Sequence, residues 1–217
     1  MKRIILSNSY FRKKRTILLF FGIMLSILST GSTVEPSHTS KNIPIGSILK
    51  DSIHYSIYII SKKQDKNILY IESQTHNRSI LKAGWPLDYP IYRTEIGDID
   101  GDGSQDILIG VIKTTRFDPH LAKRIFIFKN YEGYPRPLWL GSRVSQPLID
   151  FRVKKSNNKS AILTIEKEKN GTVLVAEYTW KGFGLGFIQY RKRNTTLKDA
   201  YTTIHKLLKT PLTNDQL

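Results

Sequence analysis

Short runs of β-branched and aromatic residues recur along most of this chain, and turn-forming residues separate them. Such runs suit a pleated sheet, and a spacing of roughly ten residues is typical of all-β proteins. The pair Asn170-Gly171, flanked by apolar residues, is a strong signal for a tight hairpin. The pattern therefore predicts an all-β fold of short antiparallel strands. The predicted strands are residues 52–61, 68–72, 79–83, 106–113, 123–129, 137–140, 148–153, 161–168, 172–180 and 183–191.

The segment at residues 84–90 interrupts this series. It contains one tryptophan, Trp85, followed by Pro86 and Pro90. Proline cannot donate a hydrogen bond within a sheet and is rare in central strands. We therefore expect residues 84–90 to form an ordered loop in which the Trp85 side chain is packed.

A weak internal repeat groups the predicted strands into larger units. Residues 97–113 align with residues 151–167, loop over loop and apolar run over apolar run, at a shift of about 54 residues. Residues 68–71 and 84–85 align in the same way with residues 125–128 and 139–141. Repeats of this length are typical of β-propeller blades. Three units are too few to close a propeller, so we expect an incomplete array: an open fragment, a distorted barrel or half of a dimer.

One amphipathic helix is predicted near the C-terminus. Thr196 is placed to cap it, and Asp199, three residues later, is placed to return the capping interaction. The apolar residues that then share one face are Leu197, Ala200, Tyr201, Ile204, Leu207 and Leu208. Thr210-Pro211 should end the helix. These features divide the chain into a β domain at residues 44–195 and a packing helix with its tail at residues 196–217.

The N-terminus has the pattern of an export signal. Basic residues precede an apolar core at residues 16–30, and small residues follow it. That core is shorter than the ~20 residues of a membrane-spanning helix. Residues 1–31 are therefore predicted to be a signal peptide or an uncleaved signal anchor, followed by a flexible linker at residues 32–43. In either case we expect the rest of the chain to be exported, to the periplasm, the cell envelope or the extracellular space. Membrane contact is expected only through an uncleaved anchor.

The acidic stretch at residues 98–106 (DIDGDGSQD) is the one segment whose residue types indicate a chemistry. Numbered from Asp98, carboxylates occupy positions 1, 3, 5 and 9, a glycine occupies position 6, and Ser104 occupies position 7. Calcium takes six to eight oxygen ligands and commonly uses loops with this spacing. Position 12 is Ile109 rather than the glutamate of an EF-hand, so Asp106 must complete the shell, directly or through water.

The spacing therefore predicts one Ca²⁺ site. Its expected ligands are Asp98, Asp100, Asp102, Ser104 and Asp106. The alternative is an exposed acidic turn that binds no metal, because Asp and Gly are also ordinary turn residues.

The sequence GDIDGDGSQDILIGV also resembles the calcium loop and following strand of FG-GAP/VCBS-type repeats, the blades of integrin-like β-propellers. That resemblance implies calcium-ligand roles for the same five residues. The aligned unit carries Arg152, Lys154 and Ser156 in place of acids, so we expect a single calcium-bearing unit. A longer pattern, from GWPLDYP to VAEYTWKGFGLGF, resembles exported bacterial proteins of unknown activity. Some of these are labelled nuclear-receptor-binding-factor-related, a label from which we infer no function.

Composition and the remaining motifs narrow the functional classes. The sequence has no cysteine, which excludes disulfides, thiolate metal sites and a cysteine nucleophile. It also has no nucleophile elbow, zinc-protease motif or phosphate-binding loop. The formal net charge of +16 favours anionic partners, but the basic residues are dispersed, and we do not expect nucleic-acid binding.

These observations favour an exported, non-catalytic calcium-binding β-repeat protein that acts as an interaction module for an unidentified protein or glycan. The alternative is a secreted hydrolase that acts on a polysaccharide or another polymer by means of a carboxylate pair. The candidate carboxylates for that reaction are Asp118, Glu132, Asp150, Glu166 and Glu177.

Overall fold

The computed structural model describes residues 40–62, 64–75, 78–116, 118–141 and 143–209. These residues form twelve β-strands and one α-helix and belong to one compact unit, His38–Leu217. The predicted export signal, residues 32–39 of the predicted linker and the Thr210-Pro211 helix stop lie outside the described residues.

The strands form three sheets of four antiparallel strands, each a meander in chain order. The first sheet contains β1 (Lys41–Lys50), β2 (Ile53–Ser61), β3 (Asn67–Thr75) and β4 (Arg78–Leu87). The second contains β5 (Ile91–Gly97), β6 (Asp106–Thr115), β7 (Asp118–Tyr131) and β8 (Tyr134–Leu140). The third contains β9 (Leu148–Lys154), β10 (Ala161–Lys167), β11 (Val173–Trp180) and β12 (Leu185–Thr195). The helix α1 spans Leu197–Lys209.

The three sheets repeat one arrangement. Their second strands begin at Ile53, Asp106 and Ala161, so segments that align in the sequence occupy equivalent places in successive sheets. The first strands also contact one another in succession, β1 with β5 and β5 with β9. The predicted all-β antiparallel fold is therefore confirmed. Within the described ranges the sheets form no closed barrel, which is consistent with an incomplete set of blade-like units.

The second sheet lies between the other two, and this position explains its sequence. Alternate side chains of a strand point to opposite faces. Ile107 and Ile109 of β6 therefore pack toward the first sheet, whereas Leu108 packs toward the third. Because both faces are covered, β6 is an almost continuous apolar run, and its first six residues are all buried.

The helix α1 covers the outer face of the third sheet. Ala200 and Ile204 are buried there in one cluster with residues of β10 and β11. The predicted cap is confirmed: Thr196 Oγ1 accepts the Asp199 N–H at 3.2 Å and lies 3.0 Å from Asp199 Oδ2. The predicted apolar face is too wide, because Leu197 and Leu208 remain 45% and 37% exposed. Within the described part of the chain, no helix has the length and apolar content needed to cross a membrane.

Several strand bounds differ from those predicted. β4 continues to Leu87, so the expectation of a loop beginning at residue 84 was wrong. Pro86 is tolerated because β4 is the last strand of its sheet and pairs on one side only. The packed tryptophan is confirmed, since the Trp85 ring lies 5.9 Å from that of Phe128.

β1 begins at Lys41, inside the segment assigned to the linker, and β5 was not predicted.

Candidate functional site

The acidic stretch forms the connection between β5 and β6 at one end of the second sheet. Gly101 and Gly103 have φ values of +83° and +82°, a conformation that residues with a side chain rarely adopt. The Ile99 side chain is fully buried between the second and third sheets. The Ser160 N–H also donates to the Asp98 carbonyl at 2.6 Å. A tight loop is thus fixed to the core and to the neighbouring sheet.

Three of the predicted ligands converge within this loop. Asp98, Asp100 and Asp106 each offer a carboxylate oxygen, and these oxygens all lie within 4.8 Å of one another. Both oxygens of Asp98 accept backbone N–H groups, from Gly101 at 2.7 Å and Gly103 at 2.8 Å. A carboxylate has about four lone-pair sites, so Asp98 retains capacity for a cation.

Asp106 is the most unusual member of the cluster. Its side chain is fully buried, and Oδ2 accepts the Ile99 N–H at 2.8 Å. Its other oxygen, Oδ1, is buried without a hydrogen-bond partner. Burial raises the pKa of Asp106 to about 7. The hydrogen bond from the Ile99 N–H acts to lower this pKa, whereas the negative charge of the neighbouring Asp100 raises it further. A buried carboxylate oxygen without a partner is energetically costly unless a cation or donor satisfies it.

A lysine from the adjacent strand reaches into the same cluster. Lys129 Nζ donates to Asp100 Oδ2 at 2.5 Å and to Asp102 Oδ2 at 2.6 Å, and it lies 3.9 Å from Asp106 Oδ1. Partial burial works against the charge of Lys129, but the two carboxylate contacts outweigh it and raise its pKa. In the absence of a metal ion, the protein's own ammonium group therefore neutralises part of the loop.

Asp102, a further predicted ligand, is not one of the three clustered carboxylates. Asp102 Oδ1 accepts the Ser104 N–H at 2.9 Å, and its other oxygen contacts Lys129. Partial burial opposes the ionisation of Asp102, but Lys129 and the Ser104 N–H outweigh it and lower the pKa.

The role of Lys129 in the acidic loop was not predicted from the sequence, although its place in a strand that pairs with β6 could have indicated it. β6 and β7 pair in a register that sets Asp106 directly opposite Lys129. The sequence predicts that Lys129 ends a strand at residues 123–129, but it does not locate the turn that joins this strand to residues 106–113 and so does not define their register. Side chains directly opposite in an antiparallel pair are close neighbours, so a correctly placed turn would have brought Lys129 to the loop.

The carboxylates considered for hydrolysis have other partners. Asp150 binds Arg93 and Arg152 and also accepts the Tyr201 hydroxyl. Asp118 contacts Arg124 and His120, and Glu177 contacts Arg191. Glu166 accepts hydrogen bonds from four residues: Thr164, Tyr178, Ser145 and Gln146. Glu132 is a turn residue with a φ of +50°. These contacts tie strands and loops together.

Comparison with known proteins adds no further assignment, since no family model and no curated protein matches this chain.

Proposed function

We propose that this chain is an exported, non-catalytic calcium-binding β-repeat protein in which one ion stabilises the β5–β6 loop. The observation that carries the proposal is the buried Oδ1 of Asp106, which has no hydrogen-bond partner and lies close to the carboxylates of Asp98 and Asp100. Calcium is the metal that this donor set suits best, because the side chains offer only hard oxygen ligands. The proposed ligands remain Asp98, Asp100, Asp102, Ser104 and Asp106.

The ion would have a structural role. The loop is already joined to the third sheet through Ser160 and to the core through Ile99. A bound Ca²⁺ would neutralise the mutually repelling carboxylates and hold the start of β6, which is the centre of the three-sheet stack. The surfaces and loops around this stack would then be available to a protein or glycan partner outside the cytoplasm.

Calcium must compete with the Lys129 ammonium group for the carboxylates of the loop. An ammonium group and a calcium ion cannot occupy the same position among these carboxylates, so binding requires the Lys129 side chain to leave. We therefore expect a modest affinity of the kind found in extracellular calcium modules, for which Kd values are on the order of 10⁻⁴–10⁻³ M.

Thermal unfolding in the presence and absence of calcium tests the proposal. At a calcium concentration of 100 times the Kd, we expect stabilisation of about 2.7 kcal/mol, or a rise in Tm of about 5–10 °C. Mg²⁺ at the same concentration should raise the Tm less, because Mg²⁺ requires a more rigid octahedral shell.

Two variants locate the effect. Asp106→Asn keeps an acceptor for the Ile99 N–H but removes the charge, and it should lose most of the calcium response. Asp88→Asn makes the same change at an exposed residue outside the loop and should respond like the unmodified protein. An equal rise in Tm in Asp106→Asn would contradict a calcium site at this loop.

A further inference from the structure

A second constellation of charged groups lies at the other end of the second sheet. A cleft of about 730 Å³ opens beside the end of β6 and the beginning of β7. The cleft is separated from the acidic loop by the length of β6, about 30 Å for a strand of this length. Its charge is opposite to that of the loop: its lining includes Lys113, Arg124 and Arg143, and Asp118 is the one carboxylate among its lining residues.

Arg124 is the one buried charged residue among those that line this cleft. The residue is 2% exposed, and its Nη2 donates to Asp118 Oδ2 at 2.6 Å. Its Nε is buried without a hydrogen-bond partner. A buried guanidinium N–H that lacks an acceptor is costly, so an acceptor supplied by a ligand would stabilise this arrangement.

The backbone brings this arginine to the wall of the cleft. Gly141, which also lines the cleft, has a φ of +75°. A Cβ at Gly141 would lie 3.1 Å from Arg124 Cβ and 2.9 Å from a ring carbon of Phe126. The absence of a side chain at Gly141 therefore lets the chain pass directly over the arginine.

Asp118 balances only part of the positive charge of the cleft. Its carboxylate pairs with Arg124 and also accepts the backbone N–H of His120 at 3.2 Å, whereas the lining holds Lys113 and Arg143 as well. Lys113 is held by neutral groups: its Nζ donates to the Tyr89 hydroxyl at 3.1 Å and lies 4.3 Å from the centre of that ring. None of these contacts to Lys113 is made by a carboxylate.

We propose that this basic cleft binds a small ligand through an oxyanion group, a phosphate or a carboxylate. The planar fork of an arginine matches either group and can make paired hydrogen bonds to it. The volume lies within the range of small-molecule sites, about 300–1,000 Å³. Leu140, which is 45% exposed at the cleft, offers an apolar surface to the remainder of the ligand. The site is independent of the acidic loop and does not require calcium.

The test uses the full chain with sodium phosphate and sodium acetate as separate probes, against sodium chloride at the same ionic strength. The matched ionic strength removes general screening of the basic surface. At ten times its Kd, a bound probe should raise the Tm by about 4 °C relative to chloride. A response to phosphate alone assigns a phosphate ligand, and a response to acetate as well assigns a wider oxyanion site that accepts carboxylates.

Matched charge variants place the effect in the cleft. Arg143 is exposed, so Arg143→Gln should fold normally, yet it should weaken binding of the probe about tenfold. Lys167→Gln makes the same change of charge at an exposed residue of β10 and should bind like the unmodified protein. Equal shifts in phosphate, acetate and chloride would overturn the proposal, as would equal binding by the Arg143→Gln and Lys167→Gln variants.

Discussion

Replacement of Lys129 by methionine gives the sharpest test of the acidic loop. The Lys129 side chain is 22% exposed and makes two short contacts, with Asp100 and Asp102. A hydrogen bond to a charged group contributes about 1.5–3 kcal/mol, and ordering a lysine side chain costs about 2 kcal/mol. The net loss in metal-free Lys129→Met should therefore be about 2 kcal/mol, or about 4–8 °C in Tm for a chain of this size.

Calcium should reverse this loss. The bound ion replaces the ammonium group, so the calcium-loaded protein no longer contains the Lys129 contacts that the substitution removes. Because calcium need not displace a lysine in the variant, its Kd should fall by about 30-fold, the equivalent of about 2 kcal/mol. Isothermal titration calorimetry measures the Kd, and unfolding with saturating calcium should give nearly equal Tm values for the two proteins.

The control is Lys167→Met, which removes a positive charge from an exposed position on β10. It should leave both the Tm and the calcium Kd unchanged. If Lys129→Met loses the same stability with and without calcium, and binds calcium no more tightly, then the ion and the lysine do not compete for these carboxylates. If neither protein binds calcium, the proposed calcium function is wrong, whereas the metal-free loss would still assign Lys129 as the cation of the loop.

Three further predictions concern the scaffold. Phe151→Ala empties a fully buried site between the second and third sheets and should lower the free energy of unfolding by about 3–5 kcal/mol in urea melts; an unchanged midpoint would refute that packing. Thr196→Ala removes the cap of α1 and should cost about 1 kcal/mol in the same assay, whereas a neutral result would exclude a contribution from the cap. Burial opposes the ionisation of Asp150, but Arg93 and Arg152 outweigh it and lower its pKa. The contribution of ionised Asp150 to the free energy of unfolding is complete above the unfolded pKa of about 3.9 and is lost as the pH falls through the lower folded pKa. Asp150→Asn should therefore lose less stability on acidification than the unmodified protein. An identical dependence of stability on pH in the two proteins would contradict a stabilising role for the Asp150 ion pairs.

Features that depend on neighbouring residues in the sequence were largely predictable. The Asn170-Gly171 hairpin joins β10 and β11 as expected, with Gly171 at a φ of +88°. The repeat of about 54 residues corresponds to the equivalent strands of successive sheets. The convergence of Asp98, Asp100 and Asp106 likewise follows from the spacing of acids and glycines within one short loop.

The strands that prediction missed, β1 and β5, and the one that it made too short, β4, all lie at the edge of a sheet, where one side of the backbone lacks a partner strand of that sheet. A proline such as Pro86 is compatible with that place but not with a central strand. No local pattern distinguishes the two situations, because the position of a strand is defined by what pairs with it.

The all-β class, the repeated unit and the carboxylates of the loop follow from short stretches of sequence, because turn chemistry and the two-residue period of strands act over a few residues. The position of Lys129 opposite Asp106 and the burial of Arg124 beside Asp118 follow only from the packed fold. Both arrangements depend on the β6–β7 register and on the sheets that cover each face. Register and burial are collective properties of the packed strands, so the electrostatic character of both candidate sites arises only on folding.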